Sequence, residues 1–179
     1  MPETVNETVP FLTQEQIESR ARDVLRHHNL TTVPIDPVVL ANREGIKVNN
    51  AKFSDDNLVG MIIKRGNDIS MLVNRSDPPF RKRFTIAHEL GHHFLHLMHD
   101  GEYVDKEANL FRQQSGGEHE LTPARRREIQ ANMFAASLLM PAHEILRYWE
   151  ERQSIEDLAR IFGVSTEAMG YRITSLGLE

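Results

Sequence analysis

Residues 88–92 read His-Glu-Leu-Gly-His, and no other stretch constrains this chain as tightly. An HExxH pentapeptide carries chemistry only as a helix. Residues four apart then lie about 6 Å apart along the axis and about 40° apart around it, so the imidazoles of His88 and His92 converge on one ion. Glu89 projects from the adjoining strip, where it can take a proton from an attacking water without being a ligand. Phe84, Ala87, Leu90, Gly91, Phe94, Leu95 and Met98 supply the apolar positions of a partly buried helix, a setting that a solvated His-rich face does not need.

Any metal site here must be built without thiolates. Cysteine is absent from the 179 residues, which excludes disulfides together with Cys ligands and leaves His and carboxylate. That length supports one good core, or one core with a small satellite. Hydrophobic residues at 40% and charged residues at 26% are ordinary for a globular protein, and no apolar run approaches a membrane span. In the first thirty residues acidic side chains precede the first basic one and no apolar stretch follows, so a cytoplasmic location is expected. A net charge of −5 argues against a dedicated nucleic-acid binder. The basic clusters at Arg81 to Arg83 and Arg125 to Arg127 read as solvated helix starts, close enough in sequence to the metal candidates to face an acidic partner surface.

The organisation expected is a mobile arm over 1–12, a metallopeptidase-like unit over 13–152 and a C-terminal helical pair over 153–179. Thr13 and Gln16 form a capping box ahead of a helix ending near Asn29, and Asp36-Pro37 opens a short helix closed by Gly45. Three strands follow over 46–53, 58–64 and 69–74, the last two joined by the turn Arg65-Gly66-Asn67-Asp68 as an antiparallel hairpin. Ser76 or Asp77 ahead of Pro78 should cap the central helix. Residues 100–121 read as a long loop with one short strand around Tyr103 or Leu110. Thr122-Pro123 begins a helix reaching about Met140, with Ala131, Phe134, Ala135, Leu138 and Leu139 on its apolar side and small residues that allow close approach to a neighbour. A helix over 142–152 follows, and Ser154 with Asp157 caps a helix-turn-helix-like tail. Residues 150–179 hold six acidic and three basic side chains, so this pair is expected to complete the core rather than read DNA.

A catalytic zinc generally takes three protein ligands and keeps one open position, so a third donor must join the two histidines. Glu118, His119, Glu120, Glu128, His143 and Glu144 have the right chemistry. Glu128 is chosen, because its helix presents a small-residue face and Asn132 stands one turn later as a hydrogen-bonding support. His119 is the main rival. His96 and His99 lie about 12 Å and 16 Å along the axis from His88, too far to share its ion, and His93 points off the metal face. His96 can still hydrogen-bond near the site.

Two segments together resemble the ImmA/IrrE family of zinc metallopeptidases: Arg83-Phe-Thr-Ile-Ala-His-Glu-Leu-Gly-His-His-Phe-Leu-His and Glu128-Ile-Gln-Ala-Asn-Met-Phe-Ala-Ala-Ser-Leu-Leu-Met-Pro141. The resemblance runs over roughly residues 35 to 177 in order of elements. It implies an α+β, zincin-like fold, a small antiparallel sheet packed on the HExxH helix, with a C-terminal helix-turn-helix-like subdomain. It implies one Zn2+ per chain on His88, His92 and Glu128, with Glu89 as general base. It also implies a helix-turn-helix transcriptional repressor as substrate or partner. Gln130 stands where many relatives carry a second acidic residue and leaves the three proposed ligands unchanged.

The activity expected is peptide-bond hydrolysis, with Tyr103, His119, His143 and Tyr148 as candidate donors to the oxyanion. The alternative is a binding module that captures a repressor without cutting it, as one half of a toxin and antitoxin pair. A DNA-reading tail is a third reading, which the acidic C-terminus opposes.

Overall fold

A computed structural model describes residues 11–55, 58–96, 101–106 and 122–178, with 101–106 as backbone alone. Most of the expected arm, the alternative strand at Leu110 and His119 lie outside these residues. The elements in chain order are α1 (Gln14–His27), α2 (Pro37–Arg43), β1 (Ile46–Ala51), β2 (Leu58–Arg65), β3 (Asp68–Asn74), α3 (Pro79–Leu95), β4 (Gly101–Lys106), α4 (Pro123–Leu139), α5 (Ala142–Glu150), α6 (Ile155–Phe162) and α7 (Thr166–Ser175).

Local chemistry accounts for most of the boundaries. Thr13 and Gln16 form the reciprocal capping box, Asp36 accepts the Val38 amide 2.9 Å away, and Ser154 accepts from Asp157. Gly45 adopts φ +73°, the left-handed conformation that lets α2 end and β1 begin. The central helix starts later than expected: Pro78, not Ser76 or Asp77, is its N-cap. The residue before a proline is pushed out of the helical region, so Pro78 stays extended ahead of Pro79 and the helix begins there.

The sheet order is β1-β3-β2-β4. β2 and β3 form the expected antiparallel hairpin, with Ile62 opposite Met71. β1, however, runs parallel to β3, pairing Ile46 with Ile69, so the sheet is mixed rather than antiparallel. The cause is topological: β2 runs against β1, and the hairpin folds β3 back into the gap between them, so β3, antiparallel to β2, runs with β1. Tyr103 lies on a strand, β4, paired antiparallel to β2 with a bulge between Leu58 and Gly60. Ile46, Ile62, Met71 and Val73 are buried on the face that meets α3.

Behind α3 lies α4, whose Ala131, Phe134, Ala135, Leu138 and Leu139 are all fully buried, and α1 packs on α4 in turn. The C-terminal pair joins the same hydrophobic cluster through Leu158, Phe162, Met169 and Ile173. Two arginines tie it down. Arg83 of α3 donates to the carbonyls of Ile35 and Gly163, at 2.6 and 3.0 Å, and Arg172 of α7 donates to the Met140 carbonyl at 3.0 Å while forking onto both oxygens of Glu18. No helix among the described residues is long and apolar enough to cross a membrane.

Candidate metal centre

The site forms where α3 crosses α4 against the sheet. His88 and Glu89 are buried at 0% and 1% exposure, and His92 at 8%, as expected of a polar strip on an otherwise apolar helix. The crossing is close because Gly91 faces the backbone of Ala131, where a β-carbon would come within 2.9 Å. That approach carries Glu128, one turn earlier on α4, to the two imidazoles. Its Oε2 lies 3.2 Å from His88 Nε2 and its Oε1 lies 3.3 Å from His92 Nε2, while the two Nε2 atoms are 3.0 Å apart.

These separations suit a tetrahedral cation. Ligands held at about 2.05 Å in tetrahedral geometry lie about 3.3 Å from one another. Among the described residues His88, His92 and Glu128 are the one group of His, Asp or Glu donors that converges in this way. The chemistry agrees with the distances. Asn132 Oδ1 lies 2.7 Å from His88 Nδ1 and accepts its proton, so the neutral ring turns a lone pair, not an N–H, toward Glu128. A carboxylate and an imidazole lone pair both lack a proton to share, and a positive ion between them satisfies both. His92 is likewise held in its neutral, metal-binding form, because burial pushes its pKa down. Burial also works against charge on Glu128, but the adjoining imidazoles of His88 and His92 act more strongly the other way and hold the carboxyl well below its ordinary range. Glu128 remains half-exposed, leaving the donor group open on one side.

Glu89 occupies the neighbouring strip of α3 and lies under β2. A β-carbon at Gly60 would stand 3.1 Å from its Oε1 and 2.4 Å from Thr85 Cγ2, so strand and helix meet there without a side chain between them. The sequence signal for Gly60 is a glycine inside an otherwise apolar strand, which marks a close approach of another element. His96, too distant along the axis to be a ligand, reaches His92 ring to ring with its Nδ1 3.2 Å from His92 Nδ1, and its other nitrogen lies 3.4 Å from Gln130 Oε1. Burial and the neighbouring His92 lower its pKa to about 4. Spacing offers a clue, since His88, His92 and His96 recur every fourth residue.

His143 and Tyr148 make their contacts elsewhere. His143 is exposed beside Glu144, at 3.6 Å, and Tyr148 packs edge-on against Phe162 with Arg147 over its ring. Their described contacts are with these residues and not with the three donors. His93 and His28 both pair with Glu44, at 3.0 and 2.9 Å, away from the metal face. Tyr103 stands opposite Ile62 in the sheet.

A mixed sheet laid on a helix with HExxH, closed by a carboxylate from a second helix, defines the zincin-like class. Within it, residues 41–174 match the IrrE N-terminal-like domain, and the chain belongs to that peptidase M78 family. A transcriptional regulator from Mycobacterium tuberculosis has a similar fold, with a TM-score of 0.61 and 21% identity over 89% of this chain and 46% of that one. The chain therefore spans about half the length of that solved structure. No curated protein matches it.

Proposed function

We propose that this chain is a zinc-dependent endopeptidase, taking one zinc ion and acting in the cytoplasm on a partner protein, with a helix-turn-helix repressor as the substrate class. The observation that carries the reading is the mutual 3.0 to 3.3 Å spacing of two imidazole nitrogens and a carboxylate beside a buried glutamate. The repressor follows from the family resemblance, and the regulator with a similar fold agrees with a role in transcriptional control.

Zinc bound at His88, His92 and Glu128 supplies Lewis acidity toward a peptide carbonyl and acidifies water to a pKa of about 7. Glu89 takes the proton of the attacking water and returns it to the leaving amine. Its place at 1% exposure under Gly60 keeps competing solvent from its carboxylate. Asn132 holds the His88 ring in one tautomer. β4 ends the described sheet beside β2, and its outer edge is where an extended substrate would pair by backbone hydrogen bonds. Tyr103 on the same strand, together with His119, is the proposed donor to the oxyanion.

The test combines metal analysis with incubation of the zinc-loaded protein with candidate helix-turn-helix repressors from the same genome. Cleavage by the wild type, and its loss in Glu89→Gln with zinc retained, is the expected result. Stable capture of an intact repressor by both proteins would replace the peptidase with the binding module.

A further inference from the structure

His88 and His92 are supported differently. Behind His88 stands one amide, Asn132. Behind His92 stand two residues in series, with His92 Nδ1 3.2 Å from His96 Nδ1 and His96 Nε2 3.4 Å from Gln130 Oε1. His96 is the C-cap of α3, where the chain turns extended at φ −119° and ψ 134°. Gln130 is buried at 1% exposure on α4, two residues from Glu128.

Only one proton fits between two facing Nδ1 atoms. If it belongs to His92, then His92 Nε2 carries a lone pair, His96 Nδ1 accepts, and the His96 proton sits on Nε2 and is donated to Gln130 Oε1. Every atom in that series has a complementary partner. In the reverse order His92 Nε2 carries the proton, and the His96 Nε2 lone pair faces the Gln130 carbonyl oxygen, two acceptors at 3.4 Å. The amide orientation of Gln130 thus favours one tautomer two residues away.

We propose that His96 and Gln130 form a positioning relay that holds His92 in the tautomer whose Nε2 lone pair faces the metal. This rests on the metal reading of His88, His92 and Glu128. It gives Gln130 a function on the metal although it touches none of the three donors through its described bond to His96. The ligand concerned is a divalent cation of the zinc type, and the residues act on its affinity and on ring orientation.

Zinc affinity, measured by competition with a chromophoric chelator, is the primary readout. Wild type, His96→Leu, His96→Gln, Gln130→Met and Gln130→Glu are compared, each with its metal-free unfolding midpoint. His96→Leu strands the His92 Nδ1–H and should weaken zinc 10- to 100-fold, on the order seen when such outer partners are removed. His96→Gln restores an acceptor and should recover part of the loss. Gln130→Met should weaken binding and Gln130→Glu, a stronger acceptor for the His96 N–H, should tighten it. The 15N shifts of the zinc-bound wild type should show His92 protonated at Nδ1 and metallated at Nε2. Equal affinity across the series, or equal losses in Gln130→Met and Gln130→Glu, overturns the relay while leaving the three-donor site standing. A wild type that binds no zinc removes both.

Discussion

Gly91 on α3 lies against the backbone of Ala131 on α4, so closely that a β-carbon would stand 2.9 Å from both the Ala131 Cα and its carbonyl oxygen. This contact sets the separation of the two helices, and with it the distance from the imidazoles of α3 to the carboxylate of α4. Helix propensity favours alanine over glycine by about 1 kcal/mol, whereas overpacking a rigid contact costs about 1–3 kcal/mol. The second effect wins, because the obstacle is backbone and no rotamer change relieves it. Gly91→Ala should therefore lower the urea midpoint and, by moving Glu128 away from His88 and His92, cut zinc stoichiometry well below one. An alanine variant with full zinc content and wild-type stability would show that the crossing has slack.

Asn132 should matter to the metal and hardly at all to the fold. It lies 2.7 Å from His88 Nδ1 through its amide oxygen, on a helix whose core side is formed by other residues. Asn132→Leu removes the acceptor and leaves a buried imidazole N–H without it. Zinc affinity should fall about 10- to 100-fold, while Asn132→Asp keeps an acceptor and should hold affinity near or above wild type. Isothermal titration with a competing chelator distinguishes these outcomes.

These two residues also mark how far the sequence can be read. The helix pattern of HExxH places His88 and His92 on one strip from 3.6-residue periodicity alone, and the small-residue face of the later helix makes Glu128 a candidate beside its rival His119. Both are local or nearly local signals. The parallel pairing of β1 with β3 is not, because strand order is decided by which gap the hairpin fills, and alternating hydrophobicity is blind to it. The part proposed for Gln130 is not legible for a similar reason: the position stands out only by resemblance, and the 3.4 Å approach across two helices to His96 leaves no pattern in the sequence. The start of α3 is misplaced by a residue or two because two consecutive prolines compete for the same role.

Arg172 should prove indispensable to the attachment of the C-terminal pair. It is 4% exposed, bonded through Nε to the Met140 carbonyl and through both terminal nitrogens to Glu18 at 2.6 and 3.0 Å. Removing one member of a buried ion pair typically costs about 3–5 kcal/mol, of which the partial exposure of Glu18 should relieve some. Arg172→Met is expected to lose about 2–4 kcal/mol in urea unfolding, and Glu18→Gln less, since the amide oxygen still accepts. The same burial shapes the surface that remains. On the outward side of α7, Glu167, Tyr171, Thr174 and Ser175 are exposed and the single charge among them is negative. Duplex DNA should therefore show no salt-steep binding in a fluorescence titration.

Metal removal should weaken the protein without unfolding it. A small zinc finger has little core and folds only with its ion, whereas here His88, His92 and Glu128 are carried on helices already packed through a cluster reaching from α1 to α7. The fold therefore stands first, and the ion adds the increment that mass action allows. Free zinc at 100 times its dissociation constant stabilises the folded state by about 2.7 kcal/mol. At about 2–4 °C per kcal/mol for a chain of this size, a melting point should rise by about 5–10 °C on adding zinc to chelator-stripped protein. Glu128→Gln replaces the anionic donor with a neutral amide and should abolish most of that rise while leaving the metal-free melting point near wild type, because Glu128 is half-exposed and its removal opens no cavity. Scanning calorimetry of both proteins with and without zinc checks this; an unchanged zinc increment in Glu128→Gln would mean that the carboxylate is not a ligand.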